Sequence, residues 1–294
     1  MTVDSVAASA ADASRAGRTV AFLAGRKVGL FGIAILAALI GIAILAPIIA
    51  PYDPNVRTGL PFEAPSQAHP LGTNDIGQDL LSELIFGTRI SLLVGAIAAI
   101  GAVGIGTLVG VISGYFGGLV DQILMRVADG VLIMPFLPLM IVLAAFAGPS
   151  VANLVIIIAL VWWPQTARIV RSRALTLRSR GFVDAARGLG ASNVRIMSRY
   201  LLPLTLPLGL AQFVYVAAQT ILIEASLSFL GLGDPTAETW GSMLYWAQAR
   251  GAFLNESWQW WVVPPGFAIS VTVIGFTYAG YLLEDLLDPR LRRR

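Results

Sequence analysis

The sequence predicts an all-α membrane protein of six transmembrane helices with both termini cytoplasmic. Three observations carry this. The 294 residues are 56% hydrophobic and only 13% charged, and few soluble domains of that size could bury so much apolar surface. Six apolar stretches are each long enough to cross a bilayer. The basic residues fall on alternate loops, as the positive-inside rule requires.

The spans lie at about 29–50, 90–113, 121–147, 151–173, 203–232 and 262–284. The first follows Arg15, Arg18, Arg26 and Lys27, and its apolar run is too long for the core of a cleaved signal. It reads as an uncleaved anchor. Eleven of the first seventeen residues are Ala, Ser, Thr or Gly, which predicts a disordered cytoplasmic tail over 1–27 and a membrane domain over 28–294. Tyr115-Phe116-Gly117-Gly118 and Gly148-Pro149-Ser150 are tight turns that make the second, third and fourth spans antiparallel neighbours. Gly106, Gly110, Gly114 and Gly118 recur every four residues and let another helix backbone approach closely. A partner helix in this chain and one in another subunit fit that pattern equally. Pro135 and Pro138 predict a kink in the third span, and Pro164 one in the fourth. Arg126 and Asp129, three apart, read as a helix-stabilising pair.

Orientation follows from charge. Four basic residues precede the first span, eight lie over 167–200, and Arg290, Arg292, Arg293 and Arg294 end the chain. The loops 51–89 and 233–261 carry only Arg57, Arg89 and Arg250 against eight acids. Both termini and the 167–200 loop are therefore expected in the cytoplasm. Trp240, Trp246, Trp258, Trp260 and Trp261 read mostly as an outer interfacial belt, and His69, before Pro70, as a plain loop residue.

Several chemistries are excluded. Cysteine is absent and His69 is the single histidine, so thiolate and multi-histidine metal sites cannot form. The single lysine, Lys27, is followed by Val28, so no phosphate-binding loop exists and any ATP must be bound by another polypeptide. There is no nucleophile elbow and no HExxH helix, which argues against a membrane enzyme. An ion-coupled carrier normally holds several ionisable groups at mid-membrane. Here the one deep carboxylate is Glu224, which either faces a translocation path or is a hydrogen-bonded structural residue.

The 174–203 segment is the most informative. Asp184 sits in the first turn of a short helix, where a negative charge suits the dipole. Ala185 and Ala186 leave a smooth face that another protein can approach. Gly190 suits a left-handed helix end, Ser192 can cap a second helix, and Pro203 ends it. Asp184-Ala185-Ala186, then Gly190, then Tyr200-x-Leu202-Pro203 resembles the EAA loop of permease subunits in bacterial and archaeal ABC importers, with Asp for Glu and Tyr for the usual Ile. The resemblance implies a coupling helix that fits a groove on an ATPase, with Asp184, Ala185, Ala186, Gly190, Leu202 and Pro203 as its signature.

Further stretches are similar to one subfamily. They include His69-Pro70-Leu71-Gly72-Thr73-Asn74, Gly77-Gln78-Asp79, Leu227 to Gly233, Trp240 to Leu244 and Leu287-Asp288-Pro289-Arg290-Leu291. Together they resemble the "C" permease subunit of dipeptide/oligopeptide/nickel ABC importers. Departures fall at Asn74, where Asp is usual, Gln78, where Arg is usual, and Asp184. The resemblance implies the type I permease fold, a bacterial or archaeal inner membrane location, and a chain without cofactor, metal or catalytic residues. It implies as partners a homologous second permease, two ATPase subunits holding ATP and Mg, an extracytoplasmic solute-binding protein and the lipid bilayer, with no nucleic acid. Relatives handle dipeptides, oligopeptides, nickel chelates, glutathione, opines or sugars, and the sequence does not choose among them.

Overall fold

A long apolar chain in lipid must satisfy its backbone internally, and helices do this segment by segment. The structure is a computed structural model that describes residues 27–287. The tail expected before residue 27 and the arginines at 290–294 lie outside the described residues. Among the described residues five helices are long and apolar enough to span a membrane, six if a bent pair counts as one span.

The first is α1 (Lys27–Ile49), a peripheral helix with little of its surface buried. It touches the last helix, α11 (Val263–Leu287), where glycines permit: Gly29 abuts Leu282, and Gly275 abuts Ile35 and Leu36. Between α1 and the next helix, residues 50–79 fold into turns. The segment ends on Asp79, which caps α2 (Leu80–Phe116) by accepting a hydrogen bond from the Ser82 amide at 2.8 Å. At 37 residues α2 is about 55 Å long and outreaches the roughly 30 Å hydrocarbon layer at its ends.

The central packing is α2 against α5 (Val151–Arg178). A Cβ placed on Gly106 would come within 2.6 Å of the Trp163 carbonyl, and one on Gly110 within 2.6 Å of the Ala167 carbonyl. One on Gly114 would meet the Ala174 Cβ at 2.6 Å. The four-residue glycine spacing therefore serves packing inside the chain. Gly118 does not belong to that contact; it is the residue after the turn at Gly117, at φ +54° with open space around it.

The third span differs from the expected kinked helix. It is two helices, α3 (Gly118–Ile133) and α4 (Phe136–Ala147), bent by 93°. Met134, forced extended by the following proline, takes φ −73° and ψ 136°, and Pro135 supplies no amide to carry the ladder across. The fourth span, α5, runs unbroken through Pro164. Asp129 pairs with Arg168 of α5 and not with Arg126, because α3 lies along α5 and turns that face to it.

After α5 come the short helices α6 (Gly181–Gly188) and α7 (Asn193–Ile196), then α8 (Leu202–Phe229), α9 (Trp240–Ala249) and α10 (Trp258–Trp261). Trp240 and Trp261 lie in a buried cluster with Leu80 and Ile221, so they are core residues and not part of an interfacial belt. Trp258 stays exposed. His69 is likewise buried, its Nδ1 2.9 Å from Asp79 Oδ1.

The α2–α5 seam gives a test. Gly110→Val should force the helices apart and cost roughly 1–3 kcal/mol, read as a lower melting temperature of the detergent-solubilised protein. Gly104→Val, on the same helix with nothing within 4 Å, should leave the transition nearly unchanged. Equal shifts in the two variants would contradict the packing described.

Candidate coupling site

The site begins with a helix stop. α6 ends in a Schellman arrangement: the Ala191 amide donates to the Ala186 carbonyl at 3.0 Å and the Gly190 amide to the Arg187 carbonyl at 2.9 Å. Gly190 stands at φ +81°, the left-handed conformation that a Cβ penalises. Ser192 then caps α7, its Oγ accepting from the Arg195 amide at 3.3 Å.

Pro203 does not end the second helix. Residues 193–229 form one continuous helix, because a π-helical stretch, Met197–Leu201, precedes the proline. An α-helical Pro203 would clash with the carbonyl four residues back and offer it no hydrogen. The wider π turn accommodates that defect, and Leu202 and Pro203 become the first turn of α8.

Burial divides the loop into two faces. Val183, Ala186, Ile196 and Leu201 pack inward with Val111, Tyr115, Val170, Ala174 and Leu177. Ala186 is only 8% exposed, so it supports α6 from beneath and is not open to a docking protein. Asp184 and Ala185 are exposed, and Leu189 at the turn is 88% exposed. The outward face therefore comprises Asp184, Ala185, Leu189 and Gly190, with Arg187 forming an i,i+3 pair to Asp184 at 3.6 Å.

Polar contacts fix this loop to the membrane helices. The Tyr115 hydroxyl donates to Asn193 Oδ1 at 2.7 Å, and the Arg187 guanidinium lies 5.2 Å from the Tyr115 ring centroid. Arg178 Nη1 donates to the Phe116 carbonyl at 3.1 Å. One turn deeper, Arg171 grips Asp121 with two bonds, Nε to Oδ1 at 2.5 Å and Nη2 to Oδ2 at 2.6 Å, and the Ser113 hydroxyl donates to the same carboxylate. This bidentate pair joins α3 to α5. Its members are fifty residues apart on separate spans, and no sequence spacing announces them.

Glu224 lies elsewhere, towards the α9 end of α8. It is 1% exposed, and its Oε1 accepts from the Ser228 hydroxyl at 2.8 Å. Oε2 is buried without a partner among the described residues. The signature of 184–203 is thus brought together at one end of the helices, and Glu224 is not part of that assembly.

Residues 106–293 match the family described as binding-protein-dependent transport system inner membrane component. The chain belongs to this family. Residues 20–72 match the N-terminal transmembrane domain of oligopeptide transport permease C. The chain is similar to the dipeptide transport system permease protein DppC of Haemophilus influenzae, 39% identical over 278 residues that cover 92% of each protein. DppC of Alkalihalophilus pseudofirmus is 37% identical over 273 residues, 90% of this chain and 87% of the relative. A peptide transport system permease of Brucella suis, so named provisionally, is 36% identical over 264 residues, 89% and 87% of the two chains. As a member of this family the chain is a transport component of the bacterial inner membrane, and the subfamily read from its motifs is borne out.

The helix stop can be tested directly. Gly190→Val should raise the free energy of the loop by about 1–2 kcal/mol through its positive φ alone, since open space surrounds the site. Gly190→Asn should cost less, because Asn tolerates that conformation. Amide exchange over 181–196 would faster report the loss in Val than in Asn; protection unchanged in both would remove the argument.

Proposed function

We propose that this chain is one of two permeases in an ATP-driven importer of peptides, and that its 181–203 loop receives the motion of an ATPase subunit. The observation that carries this reading is the two-faced loop: a buried face fastened to α2 and α5, and an exposed face of Asp184, Ala185 and Leu189. The relatives named for peptide and dipeptide transport support the substrate class. The arginines over 167–200 support a cytoplasmic position for the loop. ATP and Mg belong to the ATPase subunits, since this chain has no phosphate-binding loop. The second permease completes the path, and a solute-binding protein delivers the peptide from outside.

In this reading, force applied to α6 reaches the membrane through two levers. Val183 and Ala186 push on Tyr115 and Leu177, and the Arg171–Asp121 clamp ties α5 to the half-span α3. The 93° break at Met134–Pro135 then separates the moving half from α4. Rigid elements either side of a short break are the usual parts of a hinge. Glu224 would meet the solute only when α8 and α9 part. Glu224→Gln keeps a hydrogen-bonding group for Ser228 and removes the charge. Altered uptake with normal assembly supports a place on the path, whereas normal uptake makes it a packing residue.

The decisive experiment uses Ala185→Trp. This side chain points out of the chain, so the permease should fold and assemble while the ATPase dissociates or ceases to respond to loaded binding protein. Pull-down of the ATPase and stimulated ATP hydrolysis in lipid read both effects. Ala186→Trp should instead unsettle the loop itself by overpacking it, costing roughly 1–3 kcal/mol and lowering the melting temperature. Wild-type association and stimulated hydrolysis in Ala185→Trp would reject the coupling role.

A further inference from the structure

At the opposite end of the long helices from the coupling loop lies a cavity of about 210 Å³. Asn74, Gln78 and Glu83 line it from the 50–79 segment and the start of α2, and Glu238, Trp246 and Trp261 close it from the other side. Under the orientation proposed above it opens outward, but its chemistry does not depend on the coupling reading.

Three carboxylates line this cavity; Asp75 is paired with Arg250, and Glu83 and Glu238 have no cation of their own. Glu83 is 5% exposed, and one oxygen accepts from Asn74 Nδ2 at 2.6 Å. The same Asn74 nitrogen donates to Gln78 Oε1 at 2.7 Å. Arg250, the basic residue on the cavity wall, is held on that wall by Asp75 at 3.2 Å and lies 5.1 Å from the centre of the Trp246 ring. Among the described residues no basic side chain forms an ion pair with Glu83 or Glu238. Burial pushes the Glu238 carboxyl up to about 6, the direction expected when a charge lacks a partner. A second, independent feature points to a ligand. Trp261, 1% exposed, lines the same cavity, and its indole N–H is buried without an acceptor. Buried polar groups without partners are rare and call for one.

We propose that this cavity binds a primary ammonium group that also carries a hydrogen-bond acceptor. Glu83 and Glu238 would take the ammonium, and the Trp261 N–H would take a carbonyl beside it. A metal ion fits poorly, since among the described residues no three acidic or histidine side chains are spaced to hold one. The volume is below the roughly 300 Å³ of pockets that enclose whole drug-sized ligands, so an amino end is held and the rest of its bearer stays outside. The α-ammonium of a free peptide, which stands beside the first peptide carbonyl, has this chemistry; a lysine ε-ammonium, remote from any carbonyl, does not.

The test uses the complete transporter in lipid nanodiscs, without binding protein or ATP, followed by tryptophan fluorescence because Trp246 and Trp261 line the cavity. Alanyl-alanine is the probe, Nα-acetyl-lysine N-methylamide tests an ammonium without an adjacent carbonyl, and N-acetyl-alanyl-alanine, which keeps the carboxylate and lacks the ammonium, is the control. Saturable binding of the dipeptide supports the proposal, and binding of the lysine mimic alone overturns it. Glu83→Gln should weaken that binding by about tenfold or more, since it removes one member of a buried charge pair. Gln78→Arg should do the same by placing a guanidinium against Glu83, and it decides the matter if Glu83→Gln fails to assemble. Absence of binding by the dipeptide, an equal response to the control, or unchanged affinity in an assembled Glu83→Gln transporter would overturn the site. None of these readings involves the ATPase, so this proposal and the coupling role stand or fall separately.

Discussion

The rest of the structure depends on backbone-to-backbone contact between α2 and α5. In lipid, burying apolar side chains against one another brings little advantage over burying them in hydrocarbon, so helices hold together by close van der Waals packing and polar ties. Gly106, Gly110 and Gly114 remove the side chains that would keep the helices apart, and α5 presents Trp163, Ala167 and Ala174 to the gap. That seam fixes where both ends of α2 stand. At one end Tyr115 meets the 181–203 loop; at the other Leu80 and Glu83 meet the buried tryptophans and the polar cavity.

Polar chemistry is confined to the ends of this frame, and each end treats its charges differently. Near the loop, acids and arginines neutralise one another across helices: Asp121 with Arg171, and Asp129 with Arg168. At the other end His69 and Asp79 are matched and buried, while Glu83 and Glu238 are not matched within the chain. A protein that gives Asp79 both the Ser82 amide and the Ser82 hydroxyl leaves the Glu83 carboxylate, a single turn away, with Asn74 and no cation.

Much of the fold was legible because its signals are local. The apolar runs, the turn glycines and the helix stop at Gly190 each follow from a few neighbouring residues, and apart from the broken 121–147 run and the helix that continues through Pro203 they appear where expected. The 184–203 signature was legible as a pattern, but its orientation was not: Ala185 and Ala186 are adjacent and identical, and only packing on Tyr115 decides that the second faces inward. The Arg171–Asp121 clamp, the partner of Asp129 and the burial of Trp240 and Trp261 depend on contacts between spans. A hydrophobic tryptophan in a loop looks the same in sequence whether it meets lipid or a core. The break at Pro135 shows a related limit: the proline announces a defect, and tertiary packing sets whether the helix runs on, as at Pro164, or turns at a right angle.

The π-helical stretch at Met197–Leu201 has a rotational consequence. It holds one residue more than an α-helical path between the same ends, so it sets the phase of α7 against α8. Losing that residue would swing everything on its N-terminal side by about 100° and draw it in by about 1.5 Å. Ile196 would then leave the contact with Val183, and the neighbouring arginines would face a different quarter of the surroundings. The azimuth of this end of the protein is thus written in the length of a five-residue segment, independently of which side chains occupy the surface.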